Sequence, residues 1–253
     1  MRLRDRVALV TGSSRGIGAA IARRLAAEGA SIVLHGRAPS EALDAVAKDI
    51  RAAGRPAAMV TGDLTTADAP VRIVEEAFAL HGALDILVCN AGGGGGGLVV
   101  DHRADRIDAT LALNLRSVIL STMAFARLTG SPHGRVILIS SGMATHPAFG
   151  ASVPSASKAG AEAFIRSAAQ ELGERGITCN SIAPGTTATG RLEGQNWTEK
   201  VPRWTALRRI GQPEDIADVA AFIASDEARW LTGVTIAANG GLVTSAANVI
   251  AYG

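Results

Sequence analysis

Short apolar runs rich in Val and Ile alternate along almost the whole chain with longer segments of helical periodicity. Such runs suit strands buried on both faces of a sheet, and their alternation with helices predicts βαβ units and a parallel sheet covered on both sides. The predicted strands are Val7–Val10, Ser31–His35, Ala57–Thr61, Leu84–Val88, Arg135–Ile139, Thr178–Ile182 and Val234–Ala237. The predicted helices are Ile17–Glu28, Ser40–Ala53, Ala67–His81, Asp105–Leu128, Ser155–Arg175 and Pro213–Ser225. We therefore expect one doubly wound α/β domain over residues 1–253, with a seven-stranded parallel sheet.

Composition excludes several other classes of protein. With 253 residues, 47% of them hydrophobic, the chain has enough apolar material for a sizeable core and does not have the composition of a disordered chain. A net charge of +2 gives no reason to expect nucleic acid or a membrane as a partner. Two cysteines exclude a disulfide scaffold, and no metal-ligand spacing is present. The charged start has no signal-peptide pattern, and no apolar run is long enough to span a membrane, so we expect a cytoplasmic protein.

A glycine-rich loop, Thr11–Gly18, follows the first predicted strand and leads directly into a helix. Binding a pyrophosphate requires a tight turn, a bare backbone and a helix N-terminus directed at the anion. Gly12, Gly16 and Gly18 meet these requirements, although their spacing differs from the standard dinucleotide fingerprint. An ordinary turn is the alternative, but the position between a strand and an amphipathic helix favours a dinucleotide site.

The end of the second predicted strand bears on which dinucleotide is bound. A carboxylate there commonly binds a ribose 2′-hydroxyl and repels a 2′-phosphate. The chain instead reads Leu34-His35-Gly36-Arg37, and Arg15 lies within the glycine loop. Two arginines and no acid favour NADP over NAD, unless both are simply solvated surface charges.

Further motifs follow the glycine loop in a consistent order. They are Asp63-Leu64, Cys89-Asn90-Ala91-Gly92, Asn114, Ile139-Ser140-Ser141, Lys158-Ala159-Gly160, Pro184-Gly185 with Thr189, Gly211–Asp215 and Asn239–Gly241. Together they resemble the short-chain dehydrogenase/reductase family over nearly the whole chain, in particular its bacterial 3-oxoacyl-reductase-like members.

This resemblance implies a Rossmann-like fold and hydride transfer between NADP(H) and a carbonyl or alcohol group of a small molecule. It implies a catalytic set of Asn114, Ser141 and Lys158. The cofactor-binding residues that it implies are Gly12, Ser14, Arg15, Gly16, Ile17, Gly18, Arg37, Asp63, Leu64, Asn90, Ala91, Gly92, Lys158, Pro184, Gly185 and Thr189. A homotetramer or homodimer through the helices Asp105–Leu128 and Ser155–Arg175 is also implied.

One position departs from the family. Its members have a tyrosine four residues before the lysine, which donates the proton to the carbonyl oxygen, but Pro154 stands there in this chain. The only tyrosine is Tyr252, near the C-terminus. General acid catalysis typically contributes roughly 10² to 10⁴-fold in rate, so we expect a standard ketoreductase mechanism to be crippled.

Three hypotheses remain open on this evidence. An oxidoreductase with a replacement donor is the first, with His146 as the main candidate and Ser155, Ser157 and Tyr252 as others. The second is an NADP-binding module without activity, or a silent partner in a hetero-oligomer. The third is a reaction that needs no tyrosine acid.

Two segments interrupt the alternation. The polar stretch at about residues 186–209, with Trp197 and Trp204, is predicted to be a substrate lid, the alternative being a surface insertion. Gly92–Gly97 is a run of six glycines, either a mobile loop beside the cofactor or an unselected linker. The identity of the substrate does not follow from the sequence.

Overall fold

Seven parallel strands form one sheet in the computed structural model, which describes residues 1–146, 148–190, 192 and 198–242. All seven predicted strands are confirmed, with ends shifted by two residues at most. They are β1 Val7–Val10, β2 Ser31–Gly36, β3 Ala57–Thr61, β4 Ile86–Cys89, β5 Arg135–Ile139, β6 Thr178–Pro184 and β7 Thr235–Ala238. Their order in the sheet is β3-β2-β1-β4-β5-β6-β7, which confirms the predicted doubly wound α/β fold.

The predicted helices are also present, with two main differences and with one additional short helix, over Val201–Trp204, that was not predicted. The helices are α1 Gly16–Ala27, α2 Glu41–Ala52, α3 Ala69–His81, α4 Ala104–Leu111, α5 Ser117–Leu128, α6 Ser152–Leu172, α7 Val201–Trp204 and α8 Pro213–Ala224. The predicted helix Asp105–Leu128 is divided by a π-helical turn at Ala112–Arg116. Helix α6 begins three residues before its predicted start, so that Pro154 is its third residue. Proline fits there because the first turn leaves its N–H groups without intrahelical partners.

The core lies on both faces of the sheet. Along β1, Ala8 and Val10 pack against α1, α2 and α8, whereas Val7 and Leu9 pack on the opposite face with α3, α5 and α6. This alternation is the period of two expected for a strand covered on both sides.

The strand order reverses at β1, which pairs with β2 on one side and with β4 on the other. In open parallel sheets, ligands bind outside the carboxyl ends of the strands at such a point. The glycine loop follows β1 and Asn90 follows β4, so the fold places two predicted cofactor segments at this crevice.

By length and composition alone, the continuous helical stretch Ala104–Leu128 could cross a membrane. Its apolar window is 56% buried within the protein, and core helices commonly pass the same test. This stretch is therefore weak evidence for a membrane span.

Candidate functional site

The three glycines of the glycine loop are required by its geometry. Gly12 and Gly16 have φ angles of +64° and +56°, which residues other than glycine rarely adopt. A Cβ on Gly12 would lie 2.9 Å from the Ala91 Cα, and one on Gly18 would lie 2.4 Å from the Asn90 Nδ2. The loop thus lies directly against the segment after β4, as expected for a backbone cradle that admits a pyrophosphate.

Hydrogen bonds fix this loop to the end of β4. The Thr11 hydroxyl accepts from the backbone N–H groups of Asn90 and Ala91 at 2.9 and 3.0 Å. The Asn90 amide donates to the Thr11 and Gly12 carbonyls at 2.8 and 3.0 Å. Asn90 therefore lies at the end of β4 with its side chain bonded to the glycine loop, and its role in cofactor binding stays a prediction.

The N-terminus of α1 differs from that of α2. At α2 the Ser40 side chain caps the helix, and Glu41 and Asp44 occupy the first turn. Helix α1 begins after Arg15 without a side-chain cap and without an acidic residue in its first turn. Its N–H groups and the positive end of its dipole can therefore serve an anion, as phosphate binding requires.

Thr189 lies over the glycine loop from the opposite side. A Cβ on Gly16 would be 3.2 Å from the Thr189 Cγ2. Both line a cavity of about 780 Å³, together with other residues of the loop, α1, α2, the segment around Thr189 and the start of α8. Ser14 and Arg15 line the same cavity, whereas Pro184 and Gly185 lie at the end of β6, where Gly185 packs closely on Asn239.

The remaining predicted cofactor residues lie beside β2 and β3. Arg37 is exposed just after β2, and Leu64 is buried after β3. Asp63 Oδ1 accepts from the Thr65 backbone and hydroxyl at 2.9 and 2.7 Å, and these bonds hold the pKa of the Asp63 carboxyl below its usual range. The positive charge of Arg37 lowers that pKa further. A cationic side chain therefore stands just after β2, near the Asp63 carboxylate.

Asn114, Lys158 and Gly92 meet on the other side of the crevice. A Cβ on Gly92 would lie 2.9 Å from the Lys158 Nζ and 3.2 Å from the Asn114 Oδ1. The buried Lys158 donates to the Ile139 carbonyl at 2.7 Å. The structure thus brings together two of the three predicted catalytic residues with the segment after β4.

Asn114 lies in the π-helical turn and is almost fully buried. Its amide accepts from the Gly93 N–H at 2.9 Å and donates to the Gly93 carbonyl at 2.7 Å. The same amide nitrogen donates to the Ser157 hydroxyl at 2.9 Å, which in turn donates to the Pro154 carbonyl at 2.8 Å. Such π-helical turns are often found at functional sites.

Ser141 follows β5 and is partly exposed. Its hydroxyl accepts from the Met143 N–H at 3.2 Å. The preceding residues are fixed to α6, because Ile139 is bonded to Lys158 and the Ser140 hydroxyl donates to the buried Glu162. The position of Ser141 is therefore tied to that of Lys158.

Pro154 is buried and has no ionisable group. His146 is exposed, and its Nδ1 is 3.0 Å from the Thr145 hydroxyl. The Ser155 hydroxyl is buried with no hydrogen-bond partner in the described part of the chain. Tyr252 lies outside the described residues. Of the suggested replacement donors, only Ser157 reaches the cluster around Lys158, through its hydrogen bond with Asn114, and its hydroxyl already donates to the Pro154 carbonyl.

The six glycines Gly92–Gly97, here called the glycine strap, fit closely against their surroundings. Gly94 has a φ of +133°, and a Cβ there would lie 2.8 Å from the Thr110 Cγ2. A Cβ on Gly96 would lie 2.6 Å from the Gly150 carbonyl oxygen, whereas one on Gly95 would meet open space. The Gly97 N–H donates to the Gly150 carbonyl at 2.7 Å. These contacts favour a fitted segment over an unselected linker.

The segment predicted as a lid is described in part, and Arg191 and residues 193–197, with Trp197, lie outside the described residues. Its first part is fixed by the Ala188 N–H, which donates to the Gly211 carbonyl at 2.8 Å. Its last part pairs with the region after β7 through Thr205 and Leu242. Both ends of the segment are therefore anchored, the first to Gly211 and the last to Leu242.

Metal binding and cysteine chemistry receive no support here. Among the residues that the structure describes, no three His, Cys, Asp or Glu side chains are grouped to hold a metal ion. Cys89 and Cys179 are buried, and burial raises the pKa of each thiol to about 12. Protonated, enclosed thiols are poor nucleophiles.

His35 is a residue of the site that the sequence did not reveal. In the sequence it only marks the lack of a carboxylate at the end of the second strand, yet its ring contacts both the glycine loop and the end of β3. The signal that could have found it is a polar residue at the end of an otherwise apolar strand.

Comparison with known proteins agrees with this arrangement. Residues 12–243 match a family model described as enoyl-(acyl carrier protein) reductase. A short-chain dehydrogenase/reductase from Cladobotryum is 38% identical, over 96% of this chain and 97% of its own length. A 3-oxoacyl-[acyl-carrier-protein] reductase from Synechocystis is also 38% identical, over 95% of this chain and 98% of its own length.

Solved structures with bound cofactor are also similar. A short-chain dehydrogenase from Burkholderia cenocepacia in complex with NADP superposes with a TM-score of 0.91 at 38% identity, covering 95% of this chain and 99% of the other. A blue fluorescent protein from a metagenomic library in complex with NADPH has a TM-score of 0.91 at 34% identity, with the same coverage.

Proposed function

This chain belongs to the short-chain dehydrogenase/reductase family, and on that premise we propose that it binds NADP(H) in the crevice between β1 and β4. We further propose that it acts there as an oxidoreductase on a carbonyl or alcohol group of a small molecule, with an atypical active site. The observation that carries the proposal is the glycine cradle, in which Gly12, Gly16 and Gly18 leave bare backbone at an uncapped helix N-terminus.

The preference for NADP over NAD is supported by charge. Arg15 and Arg37 are exposed on the side of the crevice near β2, and neither forms an ion pair in the described part of the chain. A guanidinium presents a planar fork of donors that matches a phosphate. The solved relatives that carry NADP or NADPH support the same preference.

The bound dinucleotide supplies or accepts the hydride, and the chain's own residues supply position and charge. Lys158 is expected to hold the nicotinamide ribose, and the lack of a side chain at Gly92 leaves room for its ammonium group, which a Cβ there would approach to 2.9 Å. Ser141 is expected to bind the substrate oxygen. Asn114 fixes the glycine strap beside Lys158 through both Gly93 hydrogen bonds.

We place Pro154 at the position where the family has its tyrosine, which makes proton delivery the weak point of the site. Pro154 has neither a backbone N–H nor an ionisable side-chain group, and its carbonyl only accepts, from the Ser157 hydroxyl, so it cannot donate a proton. Slow turnover, or NADP binding without turnover, follows from this. We also propose that the segment at about residues 186–209 is a substrate lid. A cytoplasmic location and a homodimeric or homotetrameric assembly stay predictions.

Thermal unfolding with added cofactor tests the binding. A ligand that binds only the folded state raises the unfolding temperature, so NADP should raise it more than NAD at equal concentration. In the Arg37→Asp variant, the carboxylate repels a 2′-phosphate, and the order of the two cofactors should reverse or become equal.

Arg4→Ala is the matched control, because Arg4 is exposed before the amino end of β1, away from the crevice. In that variant, NADP should still raise the unfolding temperature more than NAD does. Protection of the wild-type protein by neither cofactor would contradict the proposed function, and greater protection by NAD would contradict the NADP preference.

A further inference from the structure

His35 occupies the end of β2, where it is almost fully buried and in contact with two segments of the proposed cofactor site. The Gly12 N–H donates to the His35 Nδ1 at 3.1 Å, and the His35 Nε2 lies 3.0 Å from the Gly62 carbonyl oxygen. The backbone of His35 is bonded to Ser13 as well, at 2.9 Å in each direction. One side chain therefore joins the glycine loop to the end of β3.

The partners of the ring determine its protonation state. A backbone N–H can only donate, so Nδ1 must accept from Gly12 and carries no proton. A carbonyl oxygen can only accept, so Nε2 must carry the proton that is directed at Gly62. The ring that satisfies both partners is neutral and protonated on Nε2.

The turn at Gly12 depends on this arrangement because the two peptide groups that flank the Gly12 Cα are held by different side chains. Asn90 donates to the Gly12 carbonyl at 3.0 Å, and His35 accepts from the Gly12 N–H. Gly12 has a positive φ and lies against Ala91, so a rotation of either peptide group would move the turn that receives the phosphates.

We propose that His35 is a positioning residue of the NADP site, which holds the Gly12 turn in place only as the neutral imidazole protonated on Nε2. This inference rests on the proposed function, since it assigns a residue to the same cofactor site. A proton added at Nδ1 would direct a second N–H against the Gly12 N–H, and the buried turn would lose its acceptor.

The surroundings of the ring favour the neutral form. Burial lowers the pKa of His35, and the positive charge of Arg72 from α3 lowers it further. The hydrogen bond to Gly62 and the negative charge of Asp63 act in the opposite direction, and Arg37 lies near that carboxylate. Because the pKa of His35 is lowered from that of a free histidine, the turn should stay intact at neutral pH and loosen only in acid.

Two substitutions separate the two ring contacts. In His35→Asn, the amide oxygen can stand where Nδ1 accepts from Gly12, and the side chain does not titrate. In His35→Gln, the amide nitrogen can reach towards Gly62, but the acceptor for Gly12 is lost. At pH 7.5 we expect NADP to bind about tenfold more weakly to His35→Gln and within about threefold of wild type to His35→Asn.

The pH profile gives a readout that a merely structural residue would not change. As the pH falls from 7.5 into the acid range, NADP binding should weaken more for the wild-type protein than for His35→Asn, whose profile reports only the titration of the ligand phosphate and of other groups. His133→Gln is the matched control, because His133 is a half-exposed histidine paired with Asp226 far from the crevice. It should have the wild-type profile.

The tautomer can be measured without cofactor. Nitrogen-15 NMR of the histidine rings should find His35 protonated on Nε2 and unprotonated on Nδ1 at pH 7.5, and thermal unfolding checks that each variant is folded. A proton on Nδ1 would overturn the proposal, as would wild-type NADP affinity in His35→Gln. Absence of NADP binding by the wild-type protein would instead contradict the proposed function itself.

Discussion

Pro154 is the residue on which activity depends most directly. A tyrosine hydroxyl there would stand on the first turn of α6, one turn before Lys158. We therefore expect Pro154→Tyr to raise the turnover of simple ketones and aldehydes with NADPH by roughly 10² to 10⁴-fold over the wild-type protein. Steady-state oxidation of NADPH measures this gain.

Pro154→Phe is the matched control, since it adds the ring without the hydroxyl and should give no gain. Equal turnover of the Tyr and Phe variants would contradict the assignment of Pro154 to the proton-donor position. Ordinary wild-type turnover, on the order of 1 to 10³ s⁻¹, would contradict the weakness of proton delivery. His146 is exposed, and its ring contacts the neighbouring Thr145 hydroxyl rather than the cluster around Lys158. His146→Ala should therefore leave the residual turnover unchanged.

The glycine strap gives a prediction at the scale of an element. Gly94→Ala places a Cβ at a positive φ and against Thr110, so it should destabilise the protein by more than about 1 kcal/mol. Gly95 has open space around its Cβ position, so Gly95→Ala should be neutral or stabilise by up to about 1 kcal/mol through the unfolded chain. Urea denaturation measures both free energies of unfolding. Equal effects of the two substitutions would indicate that the strap is a loose linker.

Elements were predictable from sequence to different degrees. Strands such as Val7–Val10 are short apolar runs that recur with few charges, and this pattern identified all seven. The π-helical turn around Asn114 was not predictable, because its residues continue the apolar period of the flanking helices. The early start of α6 was missed because proline is accepted at several positions of the first turn, so Pro154 does not define the first residue of the helix.

At the scale of the whole molecule, strand–helix alternation was enough to predict a parallel sheet, because parallel strands require crossover connections. Motif order predicted Asn114, Ser141 and Lys158 as catalytic residues, a role that stays a prediction, and the structure brings the first and last of these together beside Gly92. The link from His35 to Gly12 and Gly62 joins three segments separated by more than 20 residues each, so it depends on tertiary packing.

Acid stability depends on a carboxylate that joins the N-terminus to the end of α1. Glu28 Oε1 lies 2.7 Å from the Arg2 Nη2 and 3.0 Å from the Arg24 Nη1, and the hydrogen bond from Arg2 lowers the pKa of Glu28 to about 2. Asp215, bonded to Arg209, also has a pKa of about 2. A carboxyl group with a lowered pKa in the folded state stabilises the protein above its unfolded-state pKa, and this stabilisation is lost as the pH falls towards 2.

Glu28→Gln removes the titrating group but keeps its shape. The variant should be less stable than the wild-type protein at pH 7. The difference should shrink as the pH falls from about 4.5 towards 2, because the wild-type carboxylate is then protonated and, like the glutamine, carries no charge. Urea denaturation across this range measures the difference. Asp49→Asn is the control, since Asp49 pairs with Arg23 on an open surface and such pairs contribute little. A Glu28→Gln deficit that stays constant down to pH 2 would show that shape and packing, rather than the charge of Glu28, stabilise this end of α1.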